Sequence, residues 1–526
     1  MESTIKHIPS FYLFALFAGT LFFIPAIFVN RFTTAPALWM QAGISMGITI
    51  YVFSAKRRIP LPPKGYTILL TVWAIYHLWQ NQGNVENSIT IITLMAAFFL
   101  FYATGRYWQD KKPLFMFFAF LSLLLSLWGL AQFSGLMPSY HGSFAVTGPF
   151  DNPAGISASL AFLLPFALYG CLQKKYRVIS RKPVCGYGGN GFTANYMNEQ
   201  ASYFVKYPGS KYVMLADNVR HPFNEFLKWA VNYGIAGLCL TLLLIIIPLW
   251  VSRKKHSPEL FFIRLSLLSI SICALFSSPF NYPFTRLMVV ALLAFALAAN
   301  PQKSITIPNG YLPKGVAILF SLGLLSATAY QTFNERAWHK IAHKSLRGET
   351  RQMLPRYKSL YAHLHHKDLF LYNYAAELNV VGHYKESLQI ARECDSLWAD
   401  YDLQMLMADN CRQLRQYSEA EYCLKKAAAM CPVKFMPLYR LAELYKQTGR
   451  PEEAQILAQK IMDKEIKIPS ATINAIKSKM QRLLKEQNEI NDTVPKYPTN
   501  EQPVKKTHAG QESLLENRSP RALLPT

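Results

Sequence analysis

The chain has 526 residues, with 55 lysines and arginines against 31 aspartates and glutamates, a formal charge of +24, and 51% hydrophobic residues against 16% charged. That apolar content excludes a disordered chain, and its uneven spread excludes an ordinary soluble enzyme. Up to Asn300 there are 8 acidic and 23 basic residues, which leaves 23 and 32 for the last 226. The pattern is that of a multi-spanning membrane part followed by a soluble part.

Basic clusters flank the apolar runs, as in Lys56-Arg57-Arg58, Lys111-Lys112, Lys174-Lys175 and Arg253-Lys254-Lys255. Bilayer anchoring accounts for them, and no nucleic-acid partner is expected. Eight cysteines without a CxxC pair point neither to a zinc knuckle nor to a disulfide framework. The first apolar run lacks a small-residue cleavage site, so a retained span is expected there rather than a removed signal peptide.

In chain order the predicted spans are 11–29, 36–54, 65–80, 87–105, 113–132, 155–171, 227–250, 260–276, 284–299 and 312–331. Most have the roughly 20 residues a helix needs to cross the hydrocarbon layer. The third is the weakest, being short and carrying His77. The basic loops put the N-terminus inside and the segment 133–154 outside. They also put the stretch before the seventh span outside, while the sixth span ends inside. Parity therefore demands an odd number of further crossings in 172–226. Either the third span is wrongly assigned, or a basic cluster is misplaced, or spans found in related proteins are missing.

The connection 183–226 is the richest in chemistry. Its first part, PVCGYGGNGFTANYMNEQASYF, has four glycines among aromatics, which suit a tight irregular backbone; no strand precedes it, so it is no nucleotide fingerprint. The following DNVRHPFNEFLKWAVNYGIAGL predicts a helix with Pro222 in its first turn. Arg220, His221, Asn224 and Glu225 then cluster at the water–lipid boundary. An imidazole there suits proton exchange, and an arginine fork suits a diphosphate; capping and anchoring are the alternative. Asp217 reads as a turn residue and Lys206 and Lys211 as loop charges. The turn AVTGPFDNPAG, with Asp151 and Asn152, reads first as a rigid turn and second as a substrate rim on the same side. Arg264 and Arg286 lie within or beside spans, and both read as anchors.

Beyond about Thr332 the sequence becomes charged and helical. Ala375, Ala408 and Ala442, and then Ser387, Ala420 and Ala454, recur at spacings of 33 and 34, the period of tetratricopeptide repeats. Gly382 and Gly449 fill the turn position that Arg415 fills in the middle repeat. Residues 350–367 suit a degenerate first repeat or a cap, and His365 and His366 are read as surface groups, with no metal site. The expected architecture is all-α: a polytopic helical membrane domain over 1–331, an α-solenoid of tetratricopeptide-like repeats over 332–486, and a disordered tail over 487–526.

On the external GPFDNP turn, on KPVCGYGGNGF with Tyr196, Gln200 and Tyr203, and most of all on HPFNEFLKWAVNYGIAGL, residues 1–300 resemble the superfamily of O-antigen ligases, polymerases and bacterial O-oligosaccharyltransferases. The resemblance implies transfer of a glycan from undecaprenyl diphosphate to a hydroxyl of lipid A core or of a protein. It places the protein in the bacterial inner membrane with the site loop and the repeats facing the periplasm, and the repeats could hold a protein partner. It implies an inverting, metal-independent reaction without a cofactor. The essential histidine of the family falls on His221, its asparagine on Asn224, and a Ser-Arg arginine on Arg181; with Arg220 these form the candidate catalytic group. Gln200, Tyr196, Asn224, Asp151 and Asn152 are the candidate substrate contacts. In the family further spans follow the Ser-Arg pair, whereas here Arg181 runs directly into Lys182-Pro183-Val184. The alternatives are a repeat-unit polymerase and a catalytically impaired membrane scaffold.

Overall fold

The computed structural model describes residues 10–55, 58–107, 112–142, 144–163, 184–253, 257–299 and 304–493. In chain order it has α1 (Ser10–Phe22), α2 (Thr34–Ser54), β1 (Arg58–Pro63), α3 (Lys64–Gln80), α4 (Val85–Tyr107), α5 (Lys112–Phe133), α6 (Pro153–Leu163), α7 (Gly191–Lys206), α8 (Glu225–Ser252), α9 (Pro258–Phe276), α10 (Pro283–Ala298), β2 (Ser304–Pro308) and α11 (Tyr311–Lys344). There follow α12 (Thr350–Leu364), α13 (Asp368–Val380), α14 (Tyr384–Leu397), α15 (Tyr401–Gln413), α16 (Tyr417–Met430), α17 (Met436–Gln447), α18 (Pro451–Asp463) and α19 (Ala471–Thr493). The described chain is all-helical apart from one two-stranded ribbon.

Each predicted span begins in a helix, the part 164–171 of the sixth lying outside the described residues, and the structure differs from the sequence reading in four places. The first ends at Phe22 instead of 29, because Pro25 cannot continue a helical ladder. Pro222 lies before α8 and not in its first turn; Asn224 is the N-cap, its side chain accepting from Leu227 N at 2.8 Å. The last apolar helix does not stop at 331, since no Gly or Pro breaks it and α11 runs on to Lys344. At the far end, α19 continues to Thr493, past the expected start of disorder at 487. Among the described residues six helices are long and apolar enough to cross a membrane, and the segments Phe11–Phe22 and Pro283–Ala298 are apolar but shorter.

The helices 10–344 pack around α4 and α10, whose side chains Phe101 and Phe295 meet edge to face. Polar groups join the outer pair: Ser45 and Ser321 each donate to the other's carbonyl oxygen, at 2.8 and 2.9 Å, and Thr328 donates to Gln41 Oε1 at 3.1 Å. Such bonds hold helices together where apolar surroundings supply little drive for association. Large apolar side chains point outward on α5, α8, α9 and α11, among them Phe120, Ile246, Trp250, Phe261 and Leu319. A belt of this composition suits hydrocarbon rather than water.

Contacts define two opposite faces of this bundle. One carries the ribbon, Ile59 opposite Ile307 and Pro60 opposite Thr306, together with Asn309 on the end of α2. The other carries the starts of α4, α6, α8 and α10, the segment 184–224 and the repeats. The sixth and seventh predicted spans therefore start on the same face, as the parity argument requires. The chain between them, 164–183, lies outside the described residues.

From α13 to α18 the chain forms helix hairpins whose first helices open at Asp368, Tyr401 and Met436. The small residues of the 33- and 34-residue pattern, from Ala375 to Ala454, are all buried at the hairpin contacts. α12 is the preceding cap, and Trp338 Nε1 and Tyr357 OH both donate to Asn373 Oδ1, at 3.0 and 2.8 Å. Gly382 and Gly449 end the first helices with φ of 85° and 74°, and Arg415 holds the same place at φ 58°. A side chain is strained in that region, so Arg415→Gly is expected to stabilise the repeats by about 0.5–1 kcal/mol. A thermal melt of the full chain checks this, with a midpoint a few degrees higher.

Candidate functional site

The glycine-rich segment is the missing part of a broken helix. At Gly234 the backbone of α8 turns to φ 64°, ψ −173°, which leaves the neighbouring turn without helical partners. The segment supplies them: Tyr187 N donates to Val231 O at 3.0 Å, Gly188 N to Asn232 O at 2.7 Å, and Ala236 N to Val184 O at 3.2 Å. Asn232 completes the join, donating to Gly189 O at 2.6 Å and accepting from Phe192 N at 2.8 Å. A Cβ on Gly186 would lie 2.4 Å from Asn232 O, and one on Gly234 2.1 Å from Val184 O, so neither position admits a side chain. These glycines thus serve close backbone approach.

Just before α8, the chain 216–224 has no regular structure and carries His221. Asn224 caps the helix and donates to Leu275 O at 3.0 Å, which ties the start of α8 to the end of α9. Ser278 Oγ donates to Pro222 O. His221 is an exposed residue, although protein lies close around its imidazole. That desolvation, and after it the positive charges of Lys228, Arg220 and Arg286, lowers its pKa from 6.5 to about 3, so the ring is neutral at neutral pH.

Lys228 and Arg286 form the polar end of a cavity that sequence reasoning did not find. Glu225, fully buried, lies 3.6 Å from Lys228 Nζ, and its Oε1 accepts from Phe280 N at 3.3 Å. Lys228 donates to Asn281 Oδ1 at 2.5 Å; Arg286 donates to Phe280 O, and to Asn281 O at 3.1 Å. One carboxylate faces two cations, so the cluster carries net positive charge. The cavity, about 280 Å³, runs from there between α3, α4, α8 and α10, lined lower down by Ile91, Leu94, Phe98, Leu244, Val290 and Leu293. Its lining suits a lipid with an anionic head: charge at one end and hydrocarbon-like side chains beyond. Arg286 was visible as a charge beside an apolar run, but its role depends on the fold bringing it to Lys228.

The other predicted residues divide. Asp151 accepts from Tyr282 OH at 3.0 Å, which brings the GPFDNP turn to the start of α10; burial above all raises its pKa. Asn152 accepts from Ala154 N at 2.8 Å, as a turn residue does. Gln200 and Tyr196 lie elsewhere, on the side of α7 facing the repeats. Gln200 donates to Met430 O at 2.6 Å and to Asp217 O at 3.0 Å, and Tyr196 stacks on Phe192 at 4.7 Å. Arg220 also turns to the repeats, donating to Asp368 Oδ2 at 2.7 Å with its guanidinium 4.5 Å above the ring of Trp398. These residues do not line the cavity, whose charged lining residues are Glu225, Lys228 and Arg286. Arg181 lies outside the described residues.

No protein-family model and no curated protein matches the chain. Among solved structures, a chain of the crystal structure of the APC/C hetero-tetramer Cut9-Hcn1 is 11% identical. That alignment covers 86% of this chain and 90% of that one at a TM-score of 0.25, too slight a likeness to carry an argument.

Proposed function

We propose that the protein is a membrane glycan transferase of the O-antigen ligase type. In this reading it moves a glycan from undecaprenyl diphosphate to a hydroxyl of lipid A core or of a protein, on the face that carries the repeats. The observation that carries the proposal is the cavity with Lys228 and Arg286 at its polar end and an apolar lining beyond, the same two cations acting on the His221 imidazole. A cavity of about 280 Å³ takes the diphosphate and the first isoprene units, and the rest of the tail stays in the bilayer.

In the reaction the acceptor oxygen attacks the sugar C1 as the bond from C1 to the diphosphate oxygen breaks. The hydroxyl proton passes to the neutral imidazole of His221, and the undecaprenyl diphosphate leaves with the bonding electron pair. Lys228 and Arg286 stabilise the charge that grows on the leaving phosphate. Fixed donors of this kind contribute a few kcal/mol in a site shielded from water. The resemblance of HPFNEFLKWAVNYGIAGL to the family signature supports the same roles for His221 and Asn224.

The test is transfer in proteoliposomes supplied with a polyprenyl-diphosphate glycan and candidate acceptors. The intact protein should form one new glycoside per donor; lengthening of the donor glycan instead would indicate a polymerase. Arg286→Ala should cut kcat/KM by about 10²-fold, since it removes a charged donor to the leaving group. Turnover unchanged by Arg286→Ala and by Lys228→Ala would contradict the assignment of the cavity.

A further inference from the structure

The stretch Asp217–His221 has no helix or strand to stiffen it, yet four contacts with the repeats hold it. Asn218 Nδ2 donates to Asp400 Oδ2 at 2.8 Å, and Tyr401 N returns a bond to Asn218 Oδ1 at 3.4 Å. Arg220 is caught between the Asp368 carboxylate at 2.7 Å and the face of Trp398 at 4.5 Å. Gln200 bridges Asp217 O to Met430 O. Val219 packs on a buried group formed by Met197 and Ala201 of α7 with Ala399, Tyr401 and Met430 of the repeats. The holding residues come from the start of α13, the link between α14 and α15, and the end of α16. Successive repeats therefore grip successive residues of the segment that ends at the histidine.

We infer that Asp368, Trp398 and Asp400 are positioning residues, and that the repeats form one wall of the site by fixing where His221 stands. A surface ion pair alone contributes little, but here a charge-assisted bond and a cation–π contact at Arg220 act together with a paired amide at Asn218. Fixing a short irregular segment in this way removes conformational freedom that would otherwise have to be lost at each turnover. The Asn218 side-chain amide and the Arg220 guanidinium find these partners only when the repeats are docked, so undocking frees the histidine from one side. The consequence for catalysis rests on the transfer reading above; the clamp itself does not.

Two readouts on the full-length protein separate these claims. The double variant Asp368→Ala, Trp398→Ala should raise amide hydrogen exchange in 217–221 at least tenfold, while exchange in α15 to α18 stays as in the parent. In the same variant kcat should fall by about 10²-fold with KM for the lipid-linked donor within twofold, because the cavity is untouched. Asp368→Glu, which keeps the charge, should retain most of the rate. If the double variant folds poorly, the charge exchange Arg220→Asp with Asp368→Arg takes its place and should recover protection lost in either single variant. Unchanged exchange in 217–221 would overturn the clamp. Faster exchange with unchanged kcat would overturn the positioning role. A parent protein that transfers no glycan would overturn the transfer reading alone, and the exchange measurement would still decide whether the clamp exists.

Discussion

Replacing His221 by alanine is expected to lower the rate of glycan transfer by about 10²- to 10⁴-fold, the range a single positioned proton acceptor contributes. Donor binding should change little, because the groups at the cavity mouth remain. The pH dependence has a definite form. In the free protein desolvation and three cations hold the ring near a pKa of about 3, so the neutral form dominates and kcat/KM should be flat with respect to this group above about pH 5. A bound diphosphate brings negative charge beside Lys228 and Arg286, which favours the imidazolium. The acid limb of kcat should therefore lie at higher pH than that of kcat/KM, moving the ring toward the working pH as substrate arrives. Coincident limbs, or full activity in His221→Ala, would remove the proton-transfer role.

The same lowered pKa has a sign for stability. Between the unfolded value of 6.5 and the folded value of about 3, the unfolded chain binds a proton that the folded chain does not. This group therefore leaves stability unaffected above pH 6.5 and draws it down as pH falls through that window. Because the ring touches solvent, the contribution is expected to be small.

A second large effect belongs to Lys367. Its ammonium is buried between Glu335 of α11 and Glu86 at the start of α4, in ion-pair contact with both. Burial alone would lower its pKa, but the two carboxylates outweigh burial and hold it above the ordinary lysine value. Lys367→Met should destabilise the protein by about 3–5 kcal/mol, since it leaves the Glu335 carboxylate, almost wholly buried, without its partner. The double variant Lys367→Met, Glu335→Met should recover much of that loss. Thermal unfolding followed by size-exclusion of the solubilised protein measures both. A single variant as stable as the parent would mean that the triad does not join the repeats to the bundle.

Much of the fold could be read from local pattern. Apolar runs near 20 residues gave the helices because helix length and hydrophobic thickness are both expressed along the chain. The alanine spacing gave the hairpins because close helix approach needs small residues at fixed intervals. The span predicted to end at 331 runs on for an instructive reason: polarity changes there, but polarity does not end a helix, and α11 crosses that point unbroken. The ribbon was missed because Arg58–Pro63 has three prolines and no clear alternation, and its partner lies far along the chain.

The site divided along the same line. His221 and Asn224 belong to one continuous signature and were found together. The pairing of Arg220 with Asp368 spans 148 residues, and no local pattern announces it. Arg286 and Lys228 were each visible, but as an anchor and as a helix residue; only the packing of α8 against α10 joins them into one cluster. Gln200 and Tyr196 stood beside the signature in sequence, yet α7 turns them toward the repeats.

The central claim is that the cavity beside His221 holds a lipid-linked diphosphate. It is tested most directly by photo-crosslinking with a polyprenyl diphosphate that carries a diazirine in its first isoprene units. The account predicts labelling of Ile91–Phe98, Leu244–Ile245 and Val289–Leu293, displaced by unlabelled diphosphate lipid but not by the free polyprenol, and reduced in Arg286→Ala. Labelling confined to the outer faces of α5, α9 and α11, or labelling equally displaced by the polyprenol, would contradict it.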